Sequence, residues 1–227
     1  NNKRTIWKYN STRAKWMSDV QPVDRLHFDG MYEGSLFYGT RFDDSLSVDK
    51  LYREGVITEN DITDVDKYVK EKLSYILHGD INHYDGLKRI RNKEIAKRMG
   101  LKNTPYFQTT ENGLISQYRM SSGECLLISL LHFIYNALIR RSLPVDKPIL
   151  MLIDEIELAL HPVAVSRLID LINSIMEEHE NLVVYLSSHS PEVIRKINPR
   201  NIYMIEYNME KGNVDVTNPC YPSYPIR

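Results

Sequence analysis

Apolar residues recur at three- and four-residue steps in two stretches of the chain. Val65, Val69, Leu73 and Ile76 predict one amphipathic helix over 61–78. Val165, Leu168, Ile169, Leu171, Ile172 and Ile175 predict another over 163–179, opened by Pro162. Between them, the apolar stretch around Leu126–Ile139 is interrupted by Ser129, His132 and Asn136 and reads as a buried helix over 122–140. Shorter apolar runs predict buried strands at 148–153 and 182–186 and another strand at 202–205, and Pro191 opens a short helix after the second of these. Asn112-Gly113 separates two alternating segments, 107–110 and 114–118, which is a strong hairpin signal because a tight turn needs positive φ. Lys211-Gly212 turns a last hairpin. Asp44-Ser45-Leu46-Ser47 supplies capping oxygens for a helix start. Arg25–Phe28 and Gly34–Gly39 are strand-like aromatic clusters. Buried strands alternating with amphipathic helices predict an α/β fold, with a mainly parallel sheet flanked by helices.

This pattern divides the chain into four parts. Residues 1–43 form a strand and loop region, and 44–103 a helical insertion. Residues 104–217 form the α/β lobe, entered through the hairpin, and 218–227 an irregular tail beginning near Pro219. Within the insertion, Lys88, Arg89, Arg91, Lys93, Lys97 and Arg98 precede Gly100 and predict a basic helix over 88–98. It reads either as a solvated surface or as a contact for nucleic acid or an acidic partner, through Lys88, Arg89, Arg91 and Lys93.

Composition narrows the function classes. At 227 residues the chain holds one substantial domain, alone or with an insertion. A net charge of −1 gives no general attraction to nucleic acid, so any such contact needs a local patch. Cys125 and Cys220 have no metal-ligand spacing and suggest no disulfide framework, which fits a reducing, cytoplasmic setting. No apolar run reaches the roughly 20 residues of a membrane span, and no membrane association is expected.

Three short segments carry candidate chemistry. Met120-Ser121-Ser122-Gly123-Glu124 places small residues at a helix start, where backbone N–H groups and the dipole favour an anion. Taken alone it reads equally well as an ordinary N-cap. Asp154-Glu155 closes the strand over 148–153, and side chains alternate along a strand, so the two carboxylates point apart and serve different purposes. Alone, the pair could instead cap the next helix. His189 follows Leu186-Ser187-Ser188 at the end of the next strand, 35 residues beyond Asp154, where a structural role is the commoner one.

In this order and spacing the three segments resemble the signature loop, Walker B strand and switch histidine of ATP-binding-cassette ATPases, especially the soluble branch that includes SMC, RecF and OLD proteins. Met120, Ser122 and Glu124 depart from the Leu-Ser-Gly-Gly-Gln form of the signature. The resemblance covers about residues 104–217 and implies ATP and Mg²⁺ as cofactors. It makes Asp154 the metal ligand, Glu155 the residue that polarises the attacking water, and His189 a γ-phosphate ligand. Ser121, Ser122, Gly123 and Glu124 would contact a nucleotide held by the other protomer of a head-to-tail dimer. Ile156-Glu157-Leu158-Ala159-Leu160-His161-Pro162 is similar to the corresponding loop of OLD-like proteins, with His161 structural or interfacial.

The same resemblance extends to ATPases of the Septu and retron anti-phage systems and implies a nuclease as partner. A nucleotide-locked scaffold with little turnover and a RecF- or SMC-like DNA-repair ATPase remain open alternatives. No Gly-x-x-x-x-Gly-Lys-Ser/Thr run occurs, and the chain opens on Asn1 rather than methionine. The expectation is a phosphate loop upstream of Asn1.

Overall fold

The computed structural model describes the backbone of residues 7–10, 15–18 and 29–33, and residues 44–111, 113–140, 148–157, 159–210 and 212–223. The strand-like clusters at Arg25–Phe28 and Gly34–Gly39 lie outside the described residues.

Three parallel strands, β3 (Asp29–Glu33), β8 (Ile149–Ile153) and β9 (Leu182–Leu186), form a sheet in the order β3-β8-β9. Asp29 pairs with Ile149 and Ile149 with Leu182, so β8 lies in the middle. One face of this sheet carries Ile149, Met151, Ile153 and Leu182 into the main core. Leu152, Val183 and Tyr185 alternate to the other face and are exposed among the described residues.

The core side of the sheet is covered by helices. The chain over 122–140 is helical throughout, as α4 (Ser122–Ile134) followed by a π-helical stretch over Tyr135–Arg140. It is long and apolar enough to cross a membrane, yet half of it is buried inside the protein, where Leu127, Leu131 and Ile134 are core residues. Helix α5 (Pro162–Glu178) buries Val165, Leu168, Ile169 and Ile172 as its period requires. It packs on α6 (Pro191–Lys196) and on α2 (Lys67–His78), which also packs on α4. Gly79, in the left-handed conformation, ends α2.

The expected helix over 61–78 begins only at Lys67. Ile62–Asp64 is instead a strand, β4, and Asp66 caps the helix by accepting from the Tyr68 N–H at 2.9 Å. The basic helix over 88–98 is also corrected. Leu87–Ile90 is strand β5, Asn92 is an N-cap, and only Lys93–Arg98 is helical (α3). Buried Leu87 and Ile90 fall on opposite faces of this strand, Leu87 in the main core and Ile90 in a smaller one, and the six basic side chains of 88–98 hid that pattern.

Residues 44–103 therefore contain strands as well as helices. β4 and β5 join β6 (Tyr106–Thr110) and β7 (Gly113–Ser116), the hairpin foreseen at Asn112-Gly113, in an antiparallel sheet ordered β4-β5-β6-β7. A second, smaller core lies under this sheet, with Val48 of α1 (Ser45–Arg53), Ile62, Ile90, Ala96 and Phe107. Helix α2 belongs to the main core instead, through Val69, Leu73 and Ile76. Two hairpins complete the described strands: β1 (Trp7–Asn10) with β2 (Lys15–Ser18), and β10 (Met204–Asn208) with β11 (Asn213–Thr217).

Candidate nucleotide site

The parallel strands β8 and β9 run out side by side, and the candidate carboxylates and histidine follow their ends. Ser187, the first residue after β9, ties them together. Its N–H donates to the Ile153 carbonyl at 2.9 Å, continuing the parallel ladder by one residue. Its hydroxyl donates to Asp154 Oδ1 at 2.5 Å and accepts from the Glu155 N–H at 2.9 Å. One side chain thus fixes both members of the acidic pair. Nothing but two adjacent serines before His189 marked Ser187 in the sequence, and serine at a strand end is too common to stand out.

Strand β8 ends at Ile153, so Asp154 and Glu155 do not alternate as neighbours on a strand. Glu155 has φ +51°, the one non-glycine residue with positive φ among the described residues. An L side chain in the left-handed region costs on the order of 1–2 kcal/mol. Such residues concentrate where function holds them. The turn lets Ile156 drop into the core, fully buried, while Asp154 and Glu155 stay half-exposed at the rim. Asp154 and Ser187 line an open depression of about 370 Å³ with Leu152, Tyr185 and Leu186.

The segment after Asp154 is tied to the segment bearing His189. Glu157 accepts from the Ser188 hydroxyl at 2.7 Å and from the His189 N–H at 2.5 Å. His189 itself is exposed. His161 caps α5, with Nδ1 accepting from the Val163 N–H at 3.4 Å, which is a structural role.

At the other candidate segment, Ser121 is the N-cap of α4 and forms a reciprocal capping box with Glu124. The Glu124 N–H donates to Ser121 Oγ at 3.2 Å, and the Ser121 N–H donates to Glu124 Oε2 at 2.7 Å. The second Glu124 oxygen accepts from the Tyr84 hydroxyl at 2.7 Å. Burial works against ionisation of Glu124, but the hydrogen bonds from Tyr84 and Ser121 outweigh it and hold its carboxyl below the ordinary range. Burial and this same partner push the Tyr84 phenol well above its usual value, so it stays a donor. Ser121 and Ser122 are exposed, whereas Gly123 is buried. A Cβ on Gly123 would stand 2.5 Å from the Ala159 carbonyl oxygen and 2.9 Å from Leu160. The small residue lets the loop after Glu155 lie directly against the start of α4.

The donor set suits Mg²⁺. Among the described residues no group of three His, Cys, Asp or Glu side chains could enclose a metal. One carboxylate beside a hydroxyl matches an ion that keeps water and phosphate oxygens as its other ligands. Asp154 is the residue that would hold it.

The basic residues do not form one helical face. Lys88 pairs with Glu59 at 3.2 Å and Arg98 with Asp61 at 3.4 Å, while Arg89 donates to the Ile90 carbonyl at 3.4 Å.

No curated protein matches this sequence. Residues 39–194, about two thirds of the chain, match the AAA ATPase domain family. That span takes in the capping-box serines, the acidic turn and the loop of His189. The chain belongs to the AAA ATPase domain family, and ATP is the nucleotide it binds and hydrolyses.

Proposed function

We propose that this ATPase domain works as half of a head-to-tail dimer, with Mg²⁺, and that its nucleotide cycle controls a partner effector, a nuclease in anti-phage defence. The observation that carries the catalytic part is the Ser187 hydroxyl shared between Asp154 Oδ1 and the Glu155 N–H. It supports unlike roles for the two carboxylates. Asp154, pinned by a hydroxyl, holds the metal, which would supply charge neutralisation at the phosphates. Glu155, raised on its left-handed turn, orients and polarises the attacking water. His189, exposed and held at its backbone by Glu157, donates to the γ-phosphate.

The composite site rests on the exposed serines at the start of α4. Glu124 satisfies the Ser121 N–H and is itself engaged by Tyr84, so the signature segment is held rigid from within. Preorganised donors of this kind stabilise developing charge without reorganising. The partner protomer's nucleotide is the ligand we assign to Ser121, Ser122 and Gly123, with Glu124 as the group that shapes them. The nuclease partner rests on the family resemblance. Lys88, Arg89, Arg91 and Lys93 are the surface we assign to nucleic acid or to that partner.

The test is complementation in mixed dimers. Ser121→Arg damages the signature half, and Glu155→Gln the acidic half. Each homodimer then has two dead sites. A heterodimer has one site built from two intact halves and one from two damaged halves, so co-expression restores about half of the wild-type ATPase rate per heterodimer. Heterodimers that form and stay inactive would rule out shared sites.

A further inference from the structure

We propose that Glu157 is the positioning residue of the switch histidine, and that through it the loop after Glu155 couples His189 to the start of α4. This rests on the reading of His189 as a γ-phosphate ligand and names the group that aims it.

Both oxygens of Glu157 are committed to the switch segment. Oε2 accepts from the Ser188 hydroxyl at 2.7 Å and Oε1 from the His189 N–H at 2.5 Å. Ser188 Oγ in turn accepts from the Ser190 N–H at 3.0 Å. The bonds run in one direction, from Ser190 through Ser188 to Glu157. The Ser188 side chain and the backbone N–H groups of His189 and Ser190 are held, while the surface of His189 is exposed. Hydrogen bonds to an ionised acceptor are roughly twice as strong as neutral ones. Two of them, from the consecutive residues Ser188 and His189, restrict the backbone that aims an imidazole.

The same loop reaches α4 at its other end. The Leu160 N–H donates to the Glu157 carbonyl at 3.2 Å, closing a turn. The next contact is Ala159 and Leu160 against Gly123, where no side chain could intervene. A displacement of the signature segment therefore presses on Ala159, turns Glu157 and moves the His189 backbone. Packed elements transmit such shifts because there is no slack between them. Glu157 touches no reacting atom, and its effect on catalysis runs through His189.

The experiment is a double-mutant cycle on ATP hydrolysis by the full-length protein, using Glu157→Ala, His189→Ala and the pair. Rates are normalised to the fraction that binds nucleotide. Glu157→Ala is expected to lower kcat by about 10-fold or more with KM for ATP changed less than about 3-fold. The double variant should be no slower than His189→Ala alone, because both changes remove one function. A purely structural role would instead lower the two rates multiplicatively. Glu157→Gln should recover much of the loss, since its oxygen still accepts from His189 and its amide can donate to Ser188. Should Glu157→Ala fail to fold, Ser188→Ala removes one of the two bonds and should show the same non-additivity with a smaller effect. Multiplicative losses, or wild-type kcat in Glu157→Ala, would overturn the inference while leaving His189 in place. A silent His189→Ala would overturn the reading of the site itself, and the inference with it.

Discussion

Gly123 belongs to the segment assigned to the nucleotide, yet its immediate neighbour is the protein's own backbone. Substituting Gly123→Ala separates the two demands on it. Gly123 does not have positive φ, so alanine's backbone is permitted there, and only close approach opposes the change. The new Cβ would lie 2.5 Å from the Ala159 oxygen and 2.9 Å from Leu160 Cδ2. The Leu160 methyl can rotate aside, but the carbonyl belongs to a turn closed by the Leu160 N–H and cannot. Ordinary contact starts at 3.4 Å, so the loop and helix must separate by roughly 0.9 Å. Overpacking of this kind costs about 1–3 kcal/mol. Alanine's higher helix propensity returns at most about 1 kcal/mol, and less in the first turn. A net loss of about 1–2 kcal/mol lowers the melting temperature by roughly 2–8 °C in a chain of this size. Thermal unfolding followed by circular dichroism, without nucleotide, reads this directly. A variant melting at or above the wild-type temperature would show that the loop does not lie against Gly123 as described.

Three other expectations follow from particular contacts. Tyr84→Phe removes the hydroxyl that donates to Glu124 and costs about 1.5–3 kcal/mol at neutral pH, the range for a hydrogen bond to a charged group. Because the folded carboxyl is depressed, its stabilisation is present above the unfolded value of 4.5 and is lost as pH falls through the folded one. Denaturant titrations from pH 6 to pH 3 should therefore show a shallower acid decline in this variant than in wild type, and an equally steep one would contradict the assignment. Glu155→Gly relieves the left-handed backbone and should raise the melting temperature while abolishing ATP hydrolysis, a trade of stability against activity; a lower melting temperature would argue against backbone strain at this turn. Burial first, then Arg89 and Arg140, push the His132 imidazole down from 6.5 to about 4, and its Nδ1 has no hydrogen-bond partner among the described residues. The unfolded chain then binds the extra proton first, so stability falls as pH drops from about 6.5 to 4. His132→Leu should flatten the stability profile in that window, as chemical denaturation at pH 7 and pH 5 would reveal, and an unchanged slope would place the acid sensitivity elsewhere.

Periodicity alone determined much of this molecule. An apolar stripe on α2 and α5 calls for one buried helix face each, and short apolar runs mark β8 and β9, although only one face of those strands is buried. α5, β8 and β9 stand where the pattern placed them, α2 begins later, at Lys67, and the α/β class follows. Residues 87–98 differ from the pattern because charge dominates their composition, and the two core residues of β5, Leu87 and Ile90, face two different cores from opposite sides of the strand. Local sequence also gave the order of the candidate segments, since small residues, acids and a histidine each follow the kind of element their chemistry needs.

Which groups meet is another matter, because hydrogen bonds between residues 30 or 40 positions apart leave no periodic trace. Ser187 bridging Asp154 and Glu155, Glu157 holding Ser188 and His189, and Tyr84 reaching Glu124 arise only when β8 and β9 lie side by side and α2 packs on α4. The left-handed backbone at Glu155 is likewise a tertiary outcome. Nothing in glutamate favours it, and the burial of Ile156 on one side and the Ser187 bridge on the other impose it. The sequence determined the strands and the residues at their ends, and packing decided how those ends are joined.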